Sequence, residues 1–147
     1  MKSSFFLALF ISLTLTGCSE PAASNSSDTN SIAIINEAHG YSDLYTAERL
    51  EGLKSSGKPF AVFVGASWCP GCQRLTKEIH ANQSMLPEGT AILTADFDSE
   101  LELRRSYGVT VKHSAIYFDS EGNHVNTESG VYMSNFMAHL SGVNVSQ

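Results

Sequence analysis

The chain is short of cysteine and of positive charge. Of its 147 residues only three are cysteine, and nine Lys or Arg face fifteen Asp or Glu, for a formal net charge of −6. Three cysteines allow at most one intramolecular bridge. An acidic chain without a basic cluster argues against nucleic acid as a partner and against electrostatic adhesion to anionic lipid. No internal repeat is present. His39, His80, His124 and His139 are scattered without metal-ligand spacing, which assigns them to surface or helix-end positions.

What chemistry the chain has is concentrated at one point. Trp68-Cys69-Pro70-Gly71-Cys72 stands where the apolar run Phe60 to Gly65 gives way to a helix-patterned stretch, with Leu75 and Ile79 one turn apart. A thiol attacks a disulfide as thiolate, and at a helix N-terminus that anion is stabilised by unpaired backbone N–H groups and the positive end of the helix dipole. Cys69 is the candidate nucleophile. Two intervening residues bring Cys72 round one turn later, within reach of a mixed disulfide formed on Cys69, so Cys72 is the candidate resolving thiol. Pro70 removes an N–H that the first turn leaves unpaired anyway, Gly71 leaves room for a partner's backbone, and Trp68 packs the loop and can face a partner. Half of a zinc site or a structural disulfide also fits the bare spacing, but the strand-then-helix context favours redox chemistry.

Ahead of this motif, Lys2 is followed by an apolar stretch, Phe5 to Leu15, too short for a permanent transmembrane helix and suited to the h-region of a secretory signal. Leu15-Thr16-Gly17-Cys18 resembles the lipobox of bacterial lipoproteins, which implies cleavage after Gly17 and lipidation of Cys18. An ordinary signal peptide or a short membrane anchor are the alternatives. Acyl chains on Cys18 would hold the protein at a membrane surface on the periplasmic side, and Ser19 after the lipid site points to the outer membrane by the family's sorting pattern. With Cys18 consumed, Cys69 and Cys72 have only each other in an oxidising compartment. Residues 1–17 thus read as a signal peptide. Residues 18–31, rich in Ser, Asn and Ala, read as the lipidated cysteine and a flexible tether. Residues 32–147 leave enough chain for one modest domain and too little for two.

Within that domain, Ile32 to Ile35 reads as a short strand or as a docking segment. Leu44, Ala47, Leu50 and Leu53 predict a helix over about 43–55, stopped by Gly57 and Pro59. The active-site helix should fade near Asn82. Thr90 to Phe97 reads as a second buried strand, and Ser99 with Glu102 has capping-box spacing for a short helix ending at Gly108. Ala115 to Phe118 reads as a third strand, and Asp119 to Asn123 as a hairpin turn into a strand over 124–127. Met133, Phe136, Met137 and Leu140 mark a final amphipathic helix, with Gly142 past its end. The expected class is α/β, a three-layer arrangement with a central mixed β-sheet flanked by helices. Asp96 and Asp98, at the end of a strand before Ser99, are read as turn-forming and capping residues, and Tyr41, Tyr45 and Tyr132 as core or rim aromatics.

From Lys58 to Leu140 the chain resembles thioredoxin-fold proteins, and its layout is most similar to the periplasmic thioredoxin-like domain of the DsbD transmembrane reductases and related lipoproteins. Lys58-Pro59, Ala66 to Cys72, Ala95-Asp96-Phe97-Asp98, Tyr107-Gly108-Val109, Ile116 to Asp119, Gly130 and the Phe136 to Leu140 helix carry it. The resemblance implies a thioredoxin-like domain that reduces protein disulfides through a Cys69-Cys72 couple, with electrons from a membrane donor and no cofactor. Oxidase or isomerase action stays open, because residue types do not fix a reduction potential.

Two positions depart from the pattern. The family's cis-proline falls on His113, with Ser114 after it. A cis bond without proline costs roughly 2.5 to 4 kcal/mol, so Lys112-His113 is either strained or trans, and the groove should differ. The family's buried carboxylate, six residues before the first cysteine, is here Phe63. His113 is accordingly the candidate to lie against the cysteines, take the Cys72 proton and stabilise the Cys69 thiolate. Cys69, Cys72 and His113 also make a ligand set for copper(I) or zinc, which would make the protein a metal carrier.

Overall fold

The computed structural model describes residues 40–142. The expected signal peptide, Cys18, the tether, the strand at 32–35 and His39 lie outside the described residues.

Five strands make one sheet: β1 (Tyr41–Leu44), β2 (Phe60–Gly65), β3 (Ala91–Asp96), β4 (Ser114–Phe118) and β5 (His124–Ser129), in the order β1-β3-β2-β4-β5. β1 and β2 run parallel to β3, β4 is antiparallel to β2, and β5 is antiparallel to β4. The central strand is buried from Phe60 to Val64 because both of its faces are covered, which is why its residues are continuously apolar rather than alternating.

Helices α1 (Ala47–Lys54) and α3 (Leu101–Ser106) cover one face, where Leu50, Leu53 and Leu103 pack on Phe60, Val62, Val64 and Phe118. Helices α2 (Pro70–Ala81) and α4 (Met133–Leu140) cover the other, where Leu75, Ile79, Phe136 and Leu140 pack on Ala61, Phe63 and Ala115. The pleat of β2 sends alternate side chains into the two cores. Phe60 stacks on Phe118 with ring centroids 4.4 Å apart, tying β2 to β4 on the α1 side.

Helix α1 starts later than the helical spacing predicts. Leu44 belongs to β1 and is exposed, because Tyr41–Leu44 pairs with Ala91–Thr94 at the sheet edge. Thr46 then caps α1, its hydroxyl accepting from the Arg49 N–H at 3.1 Å. The edge pairing joins segments about fifty residues apart, so local periodicity carries no trace of it.

The capping box expected at Ser99 and Glu102 is absent. Glu100 is the N-cap residue and makes no side-chain capping bond, while Ser99 Oγ donates to Glu100 and Glu102 pairs with Arg105 at 3.0 Å. Asp96 is the turn former that the sequence suggests, its Oδ1 accepting from the N–H groups of Asp98 and Ser99. The β4–β5 turn forms at Asp119, which accepts the Asn123 N–H at 2.8 Å. Tyr41 and Tyr45 pack against the core, whereas Tyr132 stands out in solvent at the start of α4.

Candidate active site

The β2–α2 junction delivers the two cysteines. Cys69 is the N-cap residue of α2, with extended backbone, and its sulfur accepts the Cys72 N–H at 3.4 Å; Pro70 is the first helical residue. The Cys69 N–H in turn donates to the Ala66 carbonyl at 3.1 Å, which closes the loop. Both cysteines are unbonded thiols, Cys69 partly exposed and Cys72 only 1 % exposed. Helix geometry therefore presents one sulfur to the surface and tucks the other one turn behind it.

Their environments push the two thiols in opposite directions. The Cys69 thiol is held below its ordinary value, first by a hydrogen bond from the Cys72 thiol, then by the Cys72 backbone N–H, with smaller help from the Gly71 N–H and the charge of Lys112. Burial pushes the Cys72 thiol up, and its hydrogen bond to Cys69 adds to the rise. This split suits a pair in which one sulfur attacks and the other waits protonated.

His113 arrives from the loop before β4. One of its ring nitrogens and the two sulfurs all lie within 4.8 Å of one another. The Lys112-His113 bond is trans, and His113, at φ +62°, is the one non-glycine residue with positive φ among the described residues. That conformation costs an L-residue about 1 to 2 kcal/mol, although histidine is among the residues that visit it more often. It is held from outside: the Gly130 N–H donates to the His113 carbonyl at 2.8 Å, and the ring stands edge-on to Phe63 with centroids 5.6 Å apart. The Nδ1 atom is buried and has no hydrogen-bond partner. The expected closeness of His113 to the dithiol is therefore met, through a left-handed turn rather than a cis bond.

The other expected residues divide. Trp68 is 59 % exposed beside Cys69, as its double reading requires. Gly71 lies against His113, where an added Cβ would meet the ring at an ordinary 3.7 Å, so its small size is not sterically forced on that side. Ser114 is buried, and its hydroxyl is taken up by the Val111 carbonyl at 2.8 Å and Ser129 Oγ at 3.0 Å; it shapes the loop and has no direct tie to the thiols. Phe63 fills the place beneath the dithiol, fully buried and edge-on to Phe136 as well as to His113. Cys72, Phe63, Ser67 and Asp96 share the wall of a cleft of about 420 Å³ between α2 and the sheet.

Two residues gain roles that the sequence did not suggest. Asp98 accepts the Trp68 indole N–H at 2.7 Å, and Lys112 holds its ammonium 4.7 Å from the centroid of the Trp68 ring. A cation over an indole face is held by the ring quadrupole. Lys112 was findable as the neighbour of His113. Asp98 had no local signal, because its partner lies thirty residues earlier.

A mixed five-stranded sheet between two helical layers, with a dithiol at the N-terminus of the helix that follows its central strand, is a thioredoxin-like fold. Solved structures bear this out. The Edwardsiella tarda protein Trxlp superposes with a TM-score of 0.57 at 22 % identity, over 65 % of this chain and 97 % of its own. Fasciola hepatica thioredoxin gives 0.58 at 23 %, over 69 % and 98 %. The reduced Schistosoma mansoni thioredoxin pre-protein gives 0.58 at 18 %, over 71 % and 98 %. No family model and no curated protein matches the chain.

Proposed function

We propose that the protein is a thiol–disulfide oxidoreductase that reduces protein disulfides on the periplasmic side of a bacterial membrane, held there by a lipid on Cys18. The observation that carries the reading is the asymmetry of the dithiol: a partly exposed Cys69 capping α2 with a lowered thiol pKa, and a buried Cys72 with a raised one. The thioredoxins among its structural neighbours support it at the level of the fold.

The steps follow from the geometry. The Cys69 thiolate attacks one sulfur of a substrate disulfide; that bond breaks, a mixed disulfide forms, and the leaving thiolate takes a proton. Cys72 then loses its proton and attacks Cys69 Sγ. The second substrate thiol departs, the Cys69–Cys72 bond closes, and two electrons have passed to the substrate. A membrane dithiol donor restores the thiols. The sequence reading of an outer-membrane lipoprotein supports the location, and Ser19 is the residue behind the choice of membrane.

Equilibration of the Cys69–Cys72 couple with glutathione, beside an insulin-reduction assay, tests the reading. A potential near or below that of the cytosolic glutathione pool with rapid insulin reduction is expected. A couple that neither equilibrates nor reduces insulin refutes it.

A further inference from the structure

We propose that the reduced site is also a copper(I) site, with Cys69 Sγ, Cys72 Sγ and a ring nitrogen of His113 as its three donors. The inference goes beyond disulfide exchange and does not depend on it. Among the described residues this is the one set of three His, Cys, Asp or Glu ligand atoms gathered within reach of a single ion.

The geometry is close to what a trigonal centre needs. Bonds of about 2.0 to 2.3 Å set three planar donors roughly 3.5 to 4.0 Å apart, and the present atoms lie within 4.8 Å of one another. A contraction of under about 1.3 Å closes the set, and rotation of the Cys69 side chain at the helix start is the simplest source of it. The His113 side does not have to be recruited. Its backbone is already held at φ +62° by Gly130, and its ring is already braced by Phe63. Its buried Nδ1 has no hydrogen-bond partner among the described residues, which is a costly state for an imidazole.

The donor chemistry selects the ion. Two thiolates and one imidazole are soft to borderline ligands, which favour copper(I) over hard cations. Among the described residues the set stops at three, which suits copper(I), whereas zinc would need a fourth ligand to become tetrahedral. Two thiolates with one monovalent ion carry a single net negative charge, and Lys112, whose charge acts on both cysteines, faces it. Phe63, edge-on to the His113 ring and in the same core cluster as Cys72, supplies an apolar wall.

Binding releases two thiol protons to solvent and transfers no electron, so the copper stays monovalent. The Cys69–Cys72 disulfide offers no thiolate and cannot hold the ion. Metal loading and disulfide exchange are thus exclusive states of the same two sulfurs.

The test is an anaerobic titration of the full chain, reduced and purified in detergent, with copper(I) supplied as its bicinchoninate complex. One equivalent should pass from the chelator to the protein, and X-ray absorption should show two sulfur neighbours and one nitrogen. His113→Asn, chosen because asparagine accepts the left-handed backbone, should lose the nitrogen neighbour and at least ~10-fold in affinity. The Cys69→Ser, Cys72→Ser double variant should take up none. Failure of the wild-type chain to strip the chelator overturns the proposal, as does a His113→Asn variant with unchanged affinity and neighbours. Tighter binding of zinc than of copper(I) overturns the choice of ion. Insulin reduction by the same samples separates the two readings: exchange without copper uptake sinks this inference alone, and copper uptake without exchange sinks the oxidoreductase alone.

Discussion

Trp68 and Asp98 are joined across thirty residues of sequence by an indole N–H that donates to a carboxylate oxygen at 2.7 Å. The bond ties the loop ahead of Cys69 to the end of β3, and a single such bond contributes roughly 0.5 to 1.5 kcal/mol net. Asp98→Ala should therefore slow disulfide exchange about two- to ten-fold, if the bond is maintained in the attacking complex. Trp68 is the sole tryptophan, so its emission reports on this loop alone. A spectrum and an exchange rate both unchanged by Asp98→Ala would show that the bond positions nothing.

The two thiols should behave unequally toward alkylation. Cys69 lies below and Cys72 above the ordinary thiol range. As pH rises, Cys69 should react first, its titration shifted below that of an ordinary thiol, while Cys72 stays protected. Mass spectrometry after timed iodoacetamide treatment reads this directly. In the same chemistry, Cys72→Ser should accumulate a mixed disulfide with substrate and Cys69→Ser should form none. Trapping by the reverse variant would exchange the assigned roles.

His113 occupies a left-handed backbone conformation, and proline is confined to φ near −65°. His113→Pro should consequently destabilise the domain by about 1 to 3 kcal/mol, which corresponds to a fall in melting temperature of roughly 5 to 15 °C. A variant that melts at or above the parent temperature would mean that the loop refolds freely and that Gly130 and Phe63 do not hold it.

Phe63 braces both Phe136 and His113 while fully buried. Phe63→Ala should cost about 3 to 5 kcal/mol. It should also loosen the His113 ring, visible as broadening of its imidazole proton resonances. A loss below about 1 kcal/mol, within the range of a tolerated core change, would count against Phe63 as the floor of the site.

Much of this site is written locally, and most of the rest depends on contacts between distant segments. Cys69, Pro70 and Cys72 declare themselves because a helix start, a proline in its first turn and a one-turn spacing are all short-range facts, and the buried run Phe60 to Val64 identifies the strand that leads to them. The approach of His113 was read from counting along a resemblance, which placed the residue but not the left-handed turn that makes a trans bond sufficient. The bond from Trp68 to Asp98 and the edge strand Tyr41–Leu44 depend on pairing between distant segments. Ser99 and Glu102 show the converse error: correct local spacing lost to Asp96, whose carboxylate had already claimed the N–H groups of the turn.

The unequal exposure of Cys69 and Cys72 has a bearing on how the site withstands damage. An oxidant such as peroxide meets one sulfur first and converts it to a sulfenic acid, the last rung from which a thiol neighbour can recover it. With Cys72 a single turn away, condensation to the disulfide with loss of water competes with further oxidation. The sheltered sulfur thus safeguards its partly exposed neighbour, and an oxidative hit leaves a disulfide that a two-electron reductant returns to two thiols.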